Sequence, residues 1–456
     1  MFSDIPPNLD RRTIFNKILH FPLLYSAMPL LANFPKSVFA DDQRASVNSN
    51  NFFKTLPKVK LDVTATTAKK KIVLVDGQKL YDFKDGCRII VPNGAIIPIK
   101  LWHWKPKKYK QSTGKVGLSF ESENPKLEKP KFVSFEESGI FNFPQNYEIE
   151  SHIRIKDIDF QGGQKSHSLR FFGTTFVELT NLAVVGGKNC LFISSGPTTA
   201  NIKNCEFTRG GTGTGLTHCV YINYIKKVYI DQCLFHAAKR QGHALKTYAA
   251  TSTILNSTIA SWVEQSDFDA GFSGELPPLD LGAWSNSLIK GNTIIRRPPT
   301  RQVCIDYRNR QWQKGVSKYT PKNWGTWIPD TNLVDNTDIS NPYLFHHFLL
   351  GNSFKNGILP TGNLASEIAR KPGFAIRNNG TYPTESGGSL DKSWVEPPNG
   401  WKDKYQRSIV WRANNKVEGI PFDDFVLEND FETPVREFSN QTFSSLEKLL
   451  NELNQI

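Results

Sequence analysis

Two short segments of the 456-residue chain carry the side chains best suited to moving protons. One reads Thr217-His218-Cys219-Val220-Tyr221-Ile222, the other Gly242-His243-Ala244-Leu245-Lys246-Thr247. His218 and His243 are 25 residues apart, and so are Tyr221 and Lys246. Further along, Asp280 stands between Leu279 and Leu281, so it points away from whichever face of a strand the leucines bury. A tyrosine, a lysine, an aspartate and two histidines on adjacent strands make an acid–base group. β-Elimination from a uronic acid needs a cation to neutralise the carboxylate, a base for the C5 proton and an acid for the leaving oxygen. Lys246 or a nearby arginine fits the first role, a histidine or Lys246 the second, and Tyr221 the third. Glycoside hydrolysis instead needs two carboxylates at a set separation, for which Asp267, Asp269 and Asp280 are the candidates. A plainer reading is also open, in which Asp280 braces a turn and each histidine bonds its neighbours at a corner.

The elements that position these residues are legible in a repeat. Apolar and polar residues alternate over residues 153–160, 177–184, 200–207, 228–235, 252–259 and 287–294. The starts fall roughly 24 to 35 residues apart, and no helical period of useful length intervenes. A unit of this size cannot bury its apolar face alone, and stacked copies can. The expectation is an all-β, right-handed parallel β-helix over residues 60–360. In such a stack His218 lies beside His243, and Tyr221 beside Lys246. Asn181, Asn204, Gln232, Asn256 and Asn292 are expected to share one corner, with Cys205 and Cys233 stacked inside. A further coil is expected at residues 346–354. Residues 308–340 and 360–440, rich in Asn, Pro, Gly and Trp, read as long loops. The segment 361–456 reads as a loop-rich extension ending in a short helix over 443–456, where apolar residues recur at helical spacing.

The first forty residues read as a leader. Arg11-Arg12 precede an apolar stretch from Phe21 to Phe34, and Val38-Phe39-Ala40 has the small residues of a cleavage site. Paired arginines with Pro22 and Pro29 in the apolar part indicate a twin-arginine signal, so the expected location is periplasmic or secreted. Beyond Ala40 no run of eighteen apolar residues occurs, and no membrane span is expected. The formal charge of +13 favours polyanions. Outside the cytoplasm these are uronic-acid or sulfated polysaccharides, lipopolysaccharide or anionic membranes rather than nucleic acid, with acidic polysaccharide the expected partner. A non-catalytic polysaccharide-binding or exopolysaccharide-assembly role is the rival to an enzyme, and a monomer is the expected state.

Other features narrow the chemistry. No pair of the six cysteines has CxxC spacing, which excludes zinc-ribbon and thioredoxin readings; the cysteines read as core packing. Gly210-Gly211-Thr212-Gly213-Thr214-Gly215 has no following Gly-Lys-Ser/Thr, so it reads as a flexible loop rather than a phosphate cradle. Residues 102–110 mix aromatics with lysines and read either as a grip on a sugar chain or as an exposed basic loop. No metal or cofactor is expected; outward carboxylates could take calcium, but no ligand motif is present.

Phe207-Thr208-Arg209, His218 through Tyr221, Gly242-His243-Ala244-Leu245-Lys246, Leu279-Asp280-Leu281 and Gly291-Asn292 together resemble the bacterial parallel β-helix proteins related to pectate-lyase-like enzymes. The resemblance covers roughly residues 85–300. It implies the fold, and it implies a polysaccharide lyase with His218, Tyr221, His243, Lys246 and Asp280 at its centre. Family chains often read Gly-His-x-x-Lys-Ser-Arg-Ala; here Thr247-Tyr248-Ala249 replaces the last three residues, so an arginine is missing. Gly282 also stands where the family has Pro. Arg209 or Arg240 is the expected substitute for binding substrate.

Overall fold

The computed structural model describes residues 51–106, 114–143, 149–262 except positions 215 and 250, most of 264–296, 304–308, 343–356 and the segments 376–379, 405–411, 415–418, 428–429 and 435–437. The leader, the loops after residue 308 and the expected C-terminal helix lie outside the described residues.

Residues 47–440 form one compact unit, and it is a parallel β-helix. Each coil contributes a strand to three parallel ladders. The first ladder runs through residues 169–172, 191–194, 220–223, 245–247, 279–282 and 305–308. The second runs through residues 150–156, 176–180, 199–203, 227–231, 251–255 and 286–290. These two join where the long strands Leu191–Lys203 and Val220–Asp231 bend from one ladder into the other. The third is a separate ten-stranded ladder. Right-handed coiling is the sense that parallel crossover connections adopt.

Alternation along each strand sends every second side chain inward, and stacking places like on like. Leu169, Leu191, Val220, Leu245, Leu279 and Ile305 form one inward row of the first ladder, all fully buried. Phe143 stacks on Phe171 in the neighbouring row with ring centroids 4.7 Å apart, and Phe207 on Phe235 in the third ladder at 5.4 Å. Removing one such ring costs about 3–5 kcal/mol. All six cysteines are buried thiols, as the packing reading holds. Cys205 and Cys233 occupy successive coils at one position.

The corner between the second and third ladders differs from expectation in one place. Asp157, Asn181, Asn204, Gln232 and Asn256 follow each other in register, and all take positive φ. The next positions in line are Gly291 and Gly351, also at positive φ, rather than Asn292. A left-handed turn residue ends each second-ladder strand, and Asn, Asp and Gly tolerate that conformation best. Asn181 donates to Asp157 Oδ1 at 2.6 Å, and Asn256 to Asp231 Oδ1 at 3.1 Å. Asn292 belongs one residue later, in line with Cys205, Cys233 and Ser257. There it opens a buried amide ladder: Asn292 Nδ2 donates to Asn352 Oδ1 at 3.1 Å, and Asn352 Nδ2 to Asn415 Oδ1 at 3.0 Å.

Two further expectations change. Trp102 and Trp104 do not grip anything outside: Trp104 is 1% exposed, and Trp102 packs edge-on against Phe120, Phe141 and Phe143. Residues 107–113 lie outside the described residues. The ladders also continue beyond residue 360, with strands at Ile376–Asn379, Tyr405–Trp411 and Val435–Glu437. The coil at residues 346–354 is present within strands Tyr343–Leu350 and Ser353–Asn356. No helix among the described residues is long and apolar enough to cross a membrane.

Candidate active site

Because inward residues of the first ladder are apolar, their neighbours face outward in a continuous row. In register that row reads Asn142, Arg170, Phe192, Tyr221, Lys246, Asp280, Asp306. The 25-residue spacing has placed Tyr221 directly beside Lys246, and the enlarged loop before Leu279 does not disturb the next step to Asp280.

A second line lies two residues before these strands and holds His167, Asn189, His218, His243 and Pro277. Hydrogen bonds run along it. Asn189 Nδ2 lies 3.0 Å from His167 Nδ1, and the His218 N–H donates to Asn189 Oδ1 at 2.6 Å. The His243 N–H donates to His218 Nδ1 at 3.2 Å, and His243 Nδ1 donates to the Pro277 carbonyl at 2.6 Å. These contacts assign protons. Nδ1 of His218 accepts, so neutral His218 carries its proton on Nε2 and acts as a donor there. Nδ1 of His243 donates, which leaves its Nε2 facing Asp280.

The two lines meet at Asp280. Its Oδ2 lies 3.1 Å from Tyr248 Oη, 3.1 Å from His243 Nε2 and 3.2 Å from Lys246 Nζ. Tyr248 Oη donates to this oxygen and the Lys246 ammonium faces it, with His243 Nε2 alongside, in a carboxylate that is itself fully buried. Lys246 is 3% exposed and His243 is fully buried, so the charge of Lys246 is answered inside the protein. Tyr221 covers this group: Lys246 Nζ lies 5.4 Å from its ring centroid, and the His218 ring meets it edge-on at 5.2 Å. Of the five predicted residues only Tyr221 is half-buried; the other four are buried. Its hydroxyl donates to Asn223 Oδ1 at 3.1 Å.

Tyr248 is a member that sequence reasoning missed. It stands where the resembled pattern has arginine, and its hydroxyl supplies the hydrogen bond to Asp280. Asp306, in register beside Asp280 and fully buried, was also missed. Its only sequence signal is an alternation, Ile305-Asp306-Tyr307, like that around Asp280.

The arginines and the other aspartates fall elsewhere. Arg209 Nε pairs with Asp267 Oδ1 at 3.1 Å, and His236 sits between Asp267 Oδ2 at 3.7 Å and Glu206 Oε1 at 3.4 Å. Burial alone would lower the pKa of His236, but Asp267 and Glu206 outweigh it and raise the value to about 9. Burial pushes Asp267 up, while His236 and Arg209 more than offset this and hold it below the usual range. Arg209 is thus paired with an internal acid through Nε while its side chain stays 46% exposed, and Asp267 shares no partner with Asp280. Arg240 is exposed, on a turn whose N–H donates to the Gly271 carbonyl at 3.3 Å. The glycine-rich loop is tied down: Thr217 Oγ1 accepts from the Thr212 N–H at 2.7 Å. Among the described residues no group of three His, Cys, Asp or Glu is arranged to hold a metal ion.

Fold and site together define a parallel β-helix protein with a polar wall along one ladder. The chain matches no family model, no curated protein and no solved structure.

Proposed function

We propose that the protein is an exported enzyme that cleaves an acidic, uronate-containing polysaccharide by β-elimination. The observation that carries this reading is Tyr221, half-exposed on the wall, with the buried His243–Lys246–Asp280 group directly beneath it. The buried group fixes the ring and places a cation beside it. A hydroxyl so placed is suited to proton transfer at a bound sugar. In the reaction the C5 proton leaves, the C5–H electrons form the C4–C5 double bond, and the C4–O bond breaks. The departing oxygen takes a proton. Tyr221, acting as its phenolate, takes the C5 proton and passes it to the departing C4 oxygen, while His218, protonated at Nε2, donates rather than accepts. The formal charge of +13 and the resemblance to pectate-lyase-like enzymes point the same way.

Hydrolysis is the second reading, and one observation favours it: Asp280 and Asp306 stand side by side. Both are fully buried, however, and Asp280 is already engaged by Tyr248 and Lys246. Elimination is therefore the better supported.

The test uses Tyr221→Phe, which keeps the ring and removes only the hydroxyl. Polygalacturonate, alginate and hyaluronate are incubated with each protein, and the ultraviolet absorbance of unsaturated uronate is followed. Absorbance with wild type and at least a hundredfold less with Tyr221→Phe supports the reading, a loss within the usual range for a general acid or base. New reducing ends without absorbance would move the assignment to hydrolysis; binding without any cleavage would make the protein a polysaccharide-binding one.

A further inference from the structure

The outward row of the first ladder does not end at Tyr221. One coil before it stands Phe192, and one coil before that Arg170. Phe192 is half-buried, its ring stacked on His167 at 4.7 Å and 13° and set edge-on to Tyr221 at 5.5 Å. Arg170 is half-buried and lies over the Phe172 and Phe192 rings at 5.5 and 6.0 Å.

Arg170 differs from Arg88, Arg154 and Arg209 in one respect. Arg88 is paired with Glu121, Arg154 with Glu178 and Arg209 with Asp267. Among the described residues no carboxylate pairs with Arg170, and its Nε is buried without a hydrogen-bond partner. The adjacent Asn142 Oδ1 is likewise a buried acceptor without a donor. Partly desolvating a cation and leaving its donors unmade is unfavourable unless something outside satisfies them. The surroundings are cationic as well: Lys105 and Arg170 act on His103, and Arg170 and Lys188 act on His167. These groups gather at one end of the wall, and among the described residues no acid is paired with either histidine.

We infer that Arg170, Phe192 and Tyr221 form a track for an acidic sugar chain running across the coils, in which Arg170 takes a uronate carboxylate two coils before Tyr221. The inference rests on the reading of the substrate as an acidic polysaccharide, and it names a subsite that reading lacks. Two strand spacings put Arg170 roughly 10 Å from Tyr221 along the stack, on the scale of two pyranose rings. Phe192 between them offers an apolar face against which a sugar ring can lie. The guanidinium fork matches a carboxylate in two parallel hydrogen bonds, which a lysine cannot reproduce. Lys246, its charge answered by Asp280, leaves this anion-binding duty to another residue.

The test is calorimetric binding of acidic oligosaccharides and of their carboxyl-reduced, neutral counterparts. The oligomers come from whichever of polygalacturonate, alginate or hyaluronate the wild-type chain binds. Arg170→Gln is expected to weaken the acidic hexamer at least tenfold and to leave the neutral hexamer within twofold. Arg170→Lys is expected to fall between, because charge survives and the fork does not. Unfolding temperatures within a few degrees of wild type show that the variants fold; if Arg170→Gln does not, the intermediate affinity of Arg170→Lys decides. Unchanged hexamer affinity in both variants overturns the subsite and leaves the proposed function standing. A wild-type chain that binds none of the three polymers overturns both.

Discussion

Lys246 Nζ and Asp280 Oδ2 lie 3.2 Å apart on neighbouring strands, and both residues are buried. Neither could be left there alone. Lys246→Met leaves the buried Asp280 carboxylate without the cation beside it, and is expected to destabilise the protein by about 3–5 kcal/mol. Adding Asp280→Asn removes the orphaned charge and should recover part of that loss. Urea unfolding of the single and double variants measures the difference; a double variant no more stable than the single would show that the ion pair is not what holds these strands.

Tyr248 donates to the same oxygen from the next position but one along the chain. Tyr248→Phe keeps the packing and deletes that bond. The expected loss is about 1.5–3 kcal/mol, the range for a hydrogen bond to a charged group. It is read from the shift in urea midpoint at unchanged slope.

The His236 cluster makes stability depend on pH in a defined direction. His236 titrates near 9 in the fold, whereas an unfolded histidine titrates near 6.5. The favourable term is therefore complete below about 6.5 and is lost as pH rises through about 9. Thermal unfolding across that window should show a falling midpoint, and His236→Gln should flatten the curve. An equally steep fall in the variant would place the effect on another group.

The amide ladder makes its own prediction. Asn292 accepts from the Ser257 N–H at 2.9 Å and donates to the Ile254 carbonyl at 2.8 Å as well as to Asn352. Asn292→Ala leaves these groups buried and unsatisfied, at a cost of about 1–3 kcal/mol for each. One residue earlier, Gly291→Val places a Cβ 2.8 Å from Asn256 Oδ1 at a φ of +67°, so it should destabilise too, whereas Asn256→Gly should be tolerated. Hydrogen exchange of the Ser257 amide reports the first change, and unfolding midpoints the second.

The cysteines should be chemically silent in the folded chain. Burial pushes the thiols of Cys87 and Cys304 up to about 12, and Cys190 and Cys233 are raised by burial together with a neighbouring cysteine. The Cys219 thiol donates to Cys190 Sγ at 3.6 Å, with no disulfide between them. Alkylation with iodoacetamide is expected to label none of them until denaturant is added, since the thiolate is the reactive form. Labelling of the native chain at neutral pH would contradict the packing.

The sequence by itself determined the repeat, because alternation and coil length are local properties and the core accepts only one periodicity. It also determined that Tyr221 neighbours Lys246 and that Asp280 faces out, since equal spacing and strand alternation leave no other arrangement. It did not determine where a lone Asn or Gly falls in the turn: Asn292 and Gly291 differ by one position, and only backbone φ separates a left-handed corner from a buried amide ladder. Nor could it say which charges answer each other. Arg209 meets Asp267 across 58 residues of chain, Lys246 meets Asp280, and Arg170 meets no acid among the described residues. Those pairings depend on how a loop of unrepeated length lies over the coil. Tertiary structure therefore decided that His218, His243, Lys246 and Asp280 of the predicted group are buried while Tyr221 stays half-exposed.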